Sequence, residues 1–322
     1  MAGTFLVELL QDIPEAPQYE LQSLSETGNF EILKNSGNFF LIHGEWDNLR
    51  NAAYVRRVVN VLSSAPQLEG LAAHTVLPDG KFFVRFQDSS DCHNSSIEPN
   101  IGDMLGGKGR VSFRNPDFVV RVYHLDVWYA GLEIFSGIGK ELHARRAPMR
   151  PFFSPISIDP RHARFMVNIT GTKDGETILD PFCGTGGILL EAGLMGRRVM
   201  GNDWSLQMAT GAKLNLKYFG VRDYQIGNHD FLKMDISEPV AAIATDFPYG
   251  KNSRLSQKNL EQLYGDSFRK FHAILPEGRK AVIVVSERKL LDLATDYFNT
   301  EKIFQFRVHR SLTRYFAVLK RK

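Results

Sequence analysis

Asp180-Pro-Phe-Cys-Gly-Thr-Gly-Gly-Ile188 is the stretch whose reading decides the fold. The apolar run Thr177–Phe182 leading into it predicts a buried strand, and Gly187–Met195 predicts a helix that Gly196 ends. A strand that breaks on glycines and resumes as a helix opens an α/β sheet. Working outward, the same rhythm continues. Arg198–Asp203 reads as a second strand and Ser205–Tyr218 as a second helix, ended by Gly220. Tyr224–Asp230 and Ala241–Asp246 are the third and fourth strands, Gln257–Leu275 a long helix, and Lys280–Glu287 the fifth strand. A helix then leads to Ile303–His309 and Arg314–Leu319, two strand-like runs too close together for a crossover helix. Alternating βα units demand a parallel sheet covered on both faces, here closed by an antiparallel hairpin at one edge. The expectation is a Rossmann-like α/β sheet whose last strand runs antiparallel to the rest.

The loop's chemistry separates two ligand classes. Gly184, Gly186 and Gly187 let the backbone turn tightly and approach a ligand with no Cβ in between. A dinucleotide site would face a pyrophosphate here. Asp180 puts a carboxylate at the head of the loop instead, which opposes a phosphate and suits the cationic aminoacyl end of S-adenosylmethionine. Phe182, Cys183 and Thr185 complete the expected cofactor loop. Two more acids fall at strand ends, where open α/β sheets bind ligands. Asp203 is placed to take both ribose hydroxyls with Trp204 packed on the adenine, and Asp230 to accept from the adenine amine with Phe231 beside it. Each strand-end acid could also be an ordinary helix N-cap.

Asp246-Phe-Pro-Tyr-Gly250 follows the fourth strand. An exocyclic amine is a poor nucleophile because its lone pair is delocalised into the base. Two acceptors on its hydrogens favour sp³ character and aim the lone pair at a methyl donor. The Asp246 carboxylate and the Phe247 carbonyl are the expected acceptors, with Tyr249 stacking on a flipped base and Pro248 stiffening the turn. The alternative is a plain strand-to-loop turn with a buried tyrosine.

The first 150 residues lack that alternation. Phe5–Leu9, Phe39–His43, Lys81–Phe86 and Phe118–Tyr123 read as strands, and Asp47–Ser63 as a helix with an apolar stripe, giving an α+β region. Arg145-Arg-Ala-Pro-Met-Arg-Pro-Phe-Phe-Ser-Pro155, with three prolines and three arginines, reads as an extended linker. Residues 1–50 carry eight acids against two bases, and residues 151–322 carry 25 bases against 18 acids. A basic C-terminal half suits a polyanionic partner. Lys108, Arg110, Arg114, Arg145, Arg146, Arg150, Lys251 and Arg254 fall in expected loops or linkers and are the candidate phosphate contacts, each alternatively a solvated charge.

Cys92 and Cys183 are far apart and lack metal spacing, so neither a zinc site nor a disulfide framework is expected, and a reducing cytoplasmic location follows. No apolar run approaches the ~20 residues of a membrane span, and no basic region precedes the short apolar stretch in Met1–Leu10, so no secretory signal is expected.

Taken together, these motifs resemble the archaeal-type THUMP-containing tRNA guanosine-10 N2-methyltransferases, a class I family, over essentially the whole chain. Asp180-Pro-Phe-Cys-Gly-Thr-Gly-Gly187 is similar to the family's cofactor loop, and Asp246-Phe-Pro-Tyr-Gly250 to its Asp-Pro-Pro-Tyr-Gly motif, with Phe247 in place of the first proline. Arg150-Pro-Phe-Phe-Ser-Pro155 with Asp159-Pro-Arg-His-Ala-Arg164 resembles the segment entering the catalytic domain, and His309-Arg-Ser-Leu-Thr-Arg314 the closing hairpin. Gly106-Gly-Lys-Gly-Arg-Val-Ser-Phe-Arg-Asn-Pro116 with Phe118-Val-Val-Arg-Val122 resembles a THUMP domain. The resemblance implies S-adenosylmethionine as cofactor, tRNA as partner, and a ferredoxin-like subdomain over residues 1–50. It further implies a THUMP RNA-binding domain over 51–144, a linker over 145–160 and a methyltransferase domain over 161–322. Some relatives need a small helper subunit. Two rivals stay open: an amine in another tRNA position, in ribosomal RNA or in DNA adenine, and a catalytically weak RNA-binding homologue prompted by Phe247.

Overall fold

The apolar strand β1 (Gly3–Leu9) pairs on both sides in the computed structural model of the chain, which describes residues 2–88, 96–106, 110–155, 157–249, 257–309 and 312–322. Helix α1 (Ala16–Thr27) follows, then β2 (Phe30–Ser36), β3 (Phe39–Gly44) and β4 (Val55–Ala65). Helix α2 (Leu68–His74), β5 (Lys81–Asp88), α3 (Glu98–Gly106), β6 (Arg110–Val111), β7 (Phe118–His124) and β8 (Trp128–Phe135) complete the N-terminal part. The chain divides into two compact units. The first holds Met1–Pro17, Gly28–Arg50 and Tyr54–Ile138, and the second Gln18–Thr27, Asn51–Ala53 and Gly139–Lys322.

The first unit is built on one sheet in the order β2-β3-β1-β4-β8-β7-β5-β6. Its pairs are antiparallel except β5 with β6 and β7. Phe82, Val84, Phe86, Val120 and Val122 pack with Ile101 and Leu105 of α3 and Leu71 of α2 in its core. The helix expected over Asp47–Ser63 does not form: Asp47–Asn51 is a 3₁₀ turn, and β4 begins at Val55. Val55, Val58, Val59 and Val61 are β-branched, and β4 lies between β1 and β8, where Val59 pairs with Leu6 on one side and Glu133 on the other. The apolar stripe at helical spacing was outweighed by this β-branched content. Strands on either side of residue 50 therefore share one sheet.

Besides Gln18–Thr27 and Asn51–Ala53, the second unit holds α4 (Gly139–Ala144) and α5 (Pro160–Ile169), the latter capped by Asp159, whose carboxylate accepts from the Arg161 amide at 2.9 Å. Then come β9 (Thr177–Asp180), α6 (Gly187–Leu194), β10 (Arg198–Asn202), α7 (Leu206–Tyr218), β11 (Tyr224–Gly227) and β12 (Ala242–Asp246). Helix α8 (Gln257–Ile274), β13 (Lys280–Val285), β14 (Phe298–His309) and β15 (Leu312–Arg321) close the chain. The helix expected between β13 and β14 is a 3₁₀ segment, Arg288–Ala294. The sheet order is β11-β10-β9-β12-β13-β15-β14. Its first five strands run parallel, and β15 is antiparallel to both neighbours, as the hairpin reading requires. The chain winds outward from β9 to β11 and then crosses back to β12. That reversal between β9 and β12 is the switch point at whose carboxyl ends such sheets bind ligands. Among the described residues, no helix is long and apolar enough to cross a membrane.

The expected extended linker is instead folded onto this unit. Ala147–Met149 is a 3₁₀ turn, and the Phe152 amide and carbonyl bond both ends of the Asn215 side-chain amide, at 2.9 and 3.0 Å. A Cβ on Gly211 of α7 would collide with the Phe152 ring, so glycine there makes room for the segment. Prolines blocked helix formation, as read from sequence, but Asn215 supplied the backbone bonds that water would supply to a free linker.

Candidate active site

Asp180 ends β9 and Asp246 ends β12, on adjacent strands at the switch point. Thr245 joins their surroundings: its hydroxyl donates to Asp180 Oδ1 at 2.6 Å, and the Phe182 amide donates to the same oxygen at 3.2 Å. Both bonds land on Oδ1, so Oδ2 keeps acceptor capacity. Asp180 is 2% exposed. Burial pushes its carboxyl up to about 7, with the Asp246 and Asp203 charges adding to the rise and the two hydrogen bonds opposing it.

The loop after Asp180 is held from β10. Cys183 donates its amide to the Asn202 carbonyl at 2.9 Å, and Gly184 donates to Asp203 Oδ2 at 2.9 Å. Gly186, at φ +77°, is the N-cap of α6, and a Cβ on it would press against Ala212 of α7 at 3.1 Å. Asp203 also accepts from the Ser205 amide at 2.9 Å through Oδ1, and burial raises its pKa. Each of its oxygens carries one amide and has a lone pair left for a ligand hydroxyl. Trp204 is 77% exposed. Asp230 caps the 3₁₀ turn Phe231–Lys233 by accepting from the Leu232 amide at 3.1 Å, the N-cap alternative raised from sequence. Its carboxylate is half exposed, while Phe231 is buried edge-on to Phe182 at 5.7 Å.

At the motif after β12, the Tyr249 hydroxyl donates to Asp246 Oδ1. Tyr249 was expected to stack on a base, and in this arrangement its phenol closes over the carboxylate instead. Burial raises Asp246 to about 6, opposed by the Arg314 guanidinium and the Tyr249 bond. Phe247 points away from this chemistry. It is 1% exposed and stacks on Tyr264 at 4.1 Å, with Phe182, Phe268 and Phe271 around it. Its amide donates to the Val284 carbonyl at 3.1 Å. Pro248 follows, half-buried or nearly so.

The basic residues separate into three groups. Arg110, Arg114 and Arg146 are exposed, Arg146 lying 3.9 Å from Asp159. Lys108, Lys251 and Arg254 fall outside the described residues. Arg145 and Arg150 are corrected by the structure. Arg145 forms a two-point ion pair with Glu191 of α6, at 2.7 and 3.1 Å, and Arg164 bonds the same carboxylate at 2.8 Å. Arg150, 4% exposed, donates to the Arg145 carbonyl at 2.9 Å and reaches Thr185 of the loop at 3.4 Å. A fully buried Glu191 requires paired cations, and that requirement takes Arg145 away from any phosphate. Arg314, absent from the sequence-based candidates, stands 3.7 Å from Asp246 Oδ2. Its only signal was membership of the closing-hairpin run. Among the described residues, no group of three or more His, Cys, Asp or Glu could hold a metal ion.

Comparison with known proteins agrees with this geometry. Residues 147–315 match the family model UPF0020 (RMKL-like, methyltransferase domain). A tRNA (guanine(10)-N2)-dimethyltransferase of Pyrococcus abyssi is 35% identical, with 98% of this chain and 99% of the relative covered. One from Methanothermobacter thermautotrophicus is 33% identical with the same coverage. The crystal structure of TrmN from Thermus thermophilus shares the fold at a TM-score of 0.58 and 18% identity, covering 99% of this chain and 100% of that one.

Proposed function

Since the chain belongs to the tRNA (guanine(10)-N2)-dimethyltransferase family, we propose that it methylates the exocyclic N2 of guanosine 10 in tRNA, with S-adenosylmethionine as donor and N2-methyl- and N2,N2-dimethylguanosine as products. The observation that carries this reading is the pair of carboxylates at the ends of adjacent strands, Asp180 fully buried and Asp246 largely so, with Thr245 beside Asp246 donating to Asp180. One suits a cationic cofactor and the other an amine.

The cofactor supplies the electrophilic methyl group when bound. Asp180, Asp203 and the loop Phe182–Gly187 would hold it, with Trp204, Asp230 and Phe231 at the adenine end. The uncommitted Oδ2 of Asp180 and the remaining lone pairs of Asp203 fit its ammonium and ribose hydroxyls. Asp246 and the Phe247 carbonyl accept the two amine hydrogens. Transfer would break the sulfonium's sulfur–methyl bond as the nitrogen–methyl bond forms, leaving the neutral thioether, and Asp246 takes the proton that the alkylated amine loses. Tyr249 must release Asp246 Oδ1 for the amine to bind, which frees its ring to stack on the base. The first unit is read as the THUMP-containing RNA-binding region. Arg110 and Arg114 there, together with Arg146 and the sequence-level candidates Lys108, Lys251 and Arg254, are assigned to phosphates.

Nucleoside mass spectrometry of tRNA incubated with labelled cofactor tests the reading. N2-methylated guanosine is expected, disappearing when position 10 is changed. Label in adenosine, or in guanosine irrespective of position 10, would overturn it.

Asp180 adds a pH dependence. A cationic ligand favours the ionised carboxylate, so binding expels the proton held with a pKa of about 7. Affinity should therefore rise with pH up to about 7, before the ligand's own ammonium begins to lose its proton. Cofactor binding by calorimetry is expected to be about fivefold tighter at pH 7 than at pH 6, with much of that difference lost in Asp180→Asn. A wild-type profile no steeper than the variant's would remove Asp180 from the cofactor site.

A further inference from the structure

β15 runs antiparallel to β13, so its first residues arrive at the carboxyl ends of the parallel strands. Tyr315 pairs with Val285, the last residue of β13, and Arg314 lies just beyond that pair, opposite Phe306 of β14. A cation is thereby delivered to the rim of the site by a strand that belongs to no βα unit. The Arg314 side chain is 11% exposed, its Nη1 is 3.7 Å from Asp246 Oδ2, and its Cζ is 5.5 Å from the Tyr249 ring centroid. Nε is buried with no hydrogen-bond partner. At 3.7 Å the pair is too long for a hydrogen bond. A guanidinium placed for stability would grip its carboxylate through two short bonds, as Arg145 grips Glu191. Arg314 supplies charge and leaves the carboxylate's lone pairs free.

We propose that Arg314 is a positioning residue of the methyl-transfer site, which holds Asp246 in its ionised form without occupying its oxygens and steadies the Tyr249 ring through a cation–π contact. The proposal rests on the reading of Asp246 as the acceptor of the amine. Among the described residues, the groups that face this carboxylate are the Tyr249 phenol beyond β12, Asp180 of β9, Tyr264 of α8 and Arg314 of β15. His162 of α5 lies within reach of the Arg314 charge, but burial first, and then Arg314, lower its pKa to about 4, so it is neutral where the enzyme works and Asp159 is left as the acid on that side. Burial favours a protonated Asp246, whereas Arg314 and the Tyr249 bond favour the anion. Among the described residues, Arg314 alone still does so once Tyr249 has turned to stack on the base. A protonated Asp246 could not take the amine's proton.

The test follows the Asp246 carboxyl band by infrared difference spectroscopy across pH 5–9 in wild type, Arg314→Gln and Arg314→Lys, with Asp246→Asn identifying the band. Single-turnover methyl transfer to tRNA is followed over the same range. In Arg314→Gln the carboxyl midpoint is expected about one pH unit or more higher. The acid limb of the rate profile should move with it, and cofactor affinity should stay within about threefold. Arg314→Lys should bring the midpoint back at least halfway. An unmoved midpoint in Arg314→Gln that still binds cofactor would overturn the proposal, as would a Lys variant shifted as far as Gln. Should Arg314→Gln fail to fold, Arg314→Met, which keeps an apolar stem and removes the charge, is read by the same criteria. If the midpoint moves as expected while wild type leaves guanosine 10 unmethylated, the target assignment fails and the role of Arg314 stands.

Discussion

Replacing Asp246 by alanine is expected to slow single-turnover N2 methylation by roughly 10²–10³-fold, the range seen when one preorganised polar group is removed from a transition state. Cofactor affinity should stay within about threefold, because the groups assigned to the cofactor lie at the end of β9, in the loop after it and just beyond β10 and β11 rather than on Asp246. The asymmetry follows from when the charge matters. A neutral amine bonds a carboxylate only modestly, but an amine acquiring a methyl acquires a positive charge beside a buried anion. The interaction grows along the reaction coordinate, so its loss falls on the rate and spares ground-state binding. Asp246→Asn keeps one acceptor oxygen and loses both the charge and the proton sink, so its rate should lie between wild type and alanine. Quenched-flow methylation of tRNA, with cofactor binding measured separately, distinguishes these outcomes. An alanine variant that keeps more than a tenth of the wild-type rate would mean the amine is held elsewhere.

The residues of this site were legible in the sequence to the extent that their roles are local. Asp180, the three glycines, Asp203 and Asp246 sit at strand ends set by apolar runs and glycine stops, and each end falls within a few residues of its expected place. Arg314 was not legible. It reaches Asp246 only because β15 inserts antiparallel beside β13, a pairing of distant segments that no local spacing records. The arginines ahead of α5 failed for a related reason. Their composition announced a solvated linker, yet Glu191, Thr185 and Asn215, far along the chain, supply the partners that fold this segment down. Asp47–Ser63 shows the limit of periodicity in a strand buried on both faces: Val58 and Val59, consecutive and therefore on opposite faces of β4, are both buried, and apolar residues on two faces imitate a helical stripe.

Restoring the family's proline with Phe247→Pro is expected to destabilise the protein by about 3–5 kcal/mol, although it recreates the commoner motif. Most of that loss is the cavity left among Tyr264, Phe182, Phe268 and Phe271, whose rings all contact Phe247. The remainder is the amide that Phe247 donates to Val284, which proline cannot provide. For a domain of this size the midpoint of thermal unfolding should fall by of the order of 10 °C. Below that transition the rate should stay within a few-fold of wild type, since proline presents the same carbonyl to the amine. A proline at this position would restrain the residue through its ring-locked φ. Here the aromatic cluster fixes it by clamping the side chain on the same residue. Phe247→Ala separates the two means of rigidity, because it loses the clamp and gains no φ restraint. It should lose rate, in the folded fraction, more than Phe247→Pro does. Equal rates for the two variants would show that the carbonyl needs no such restraint, and an unchanged unfolding midpoint in Phe247→Pro would show that the cluster can close over a missing ring.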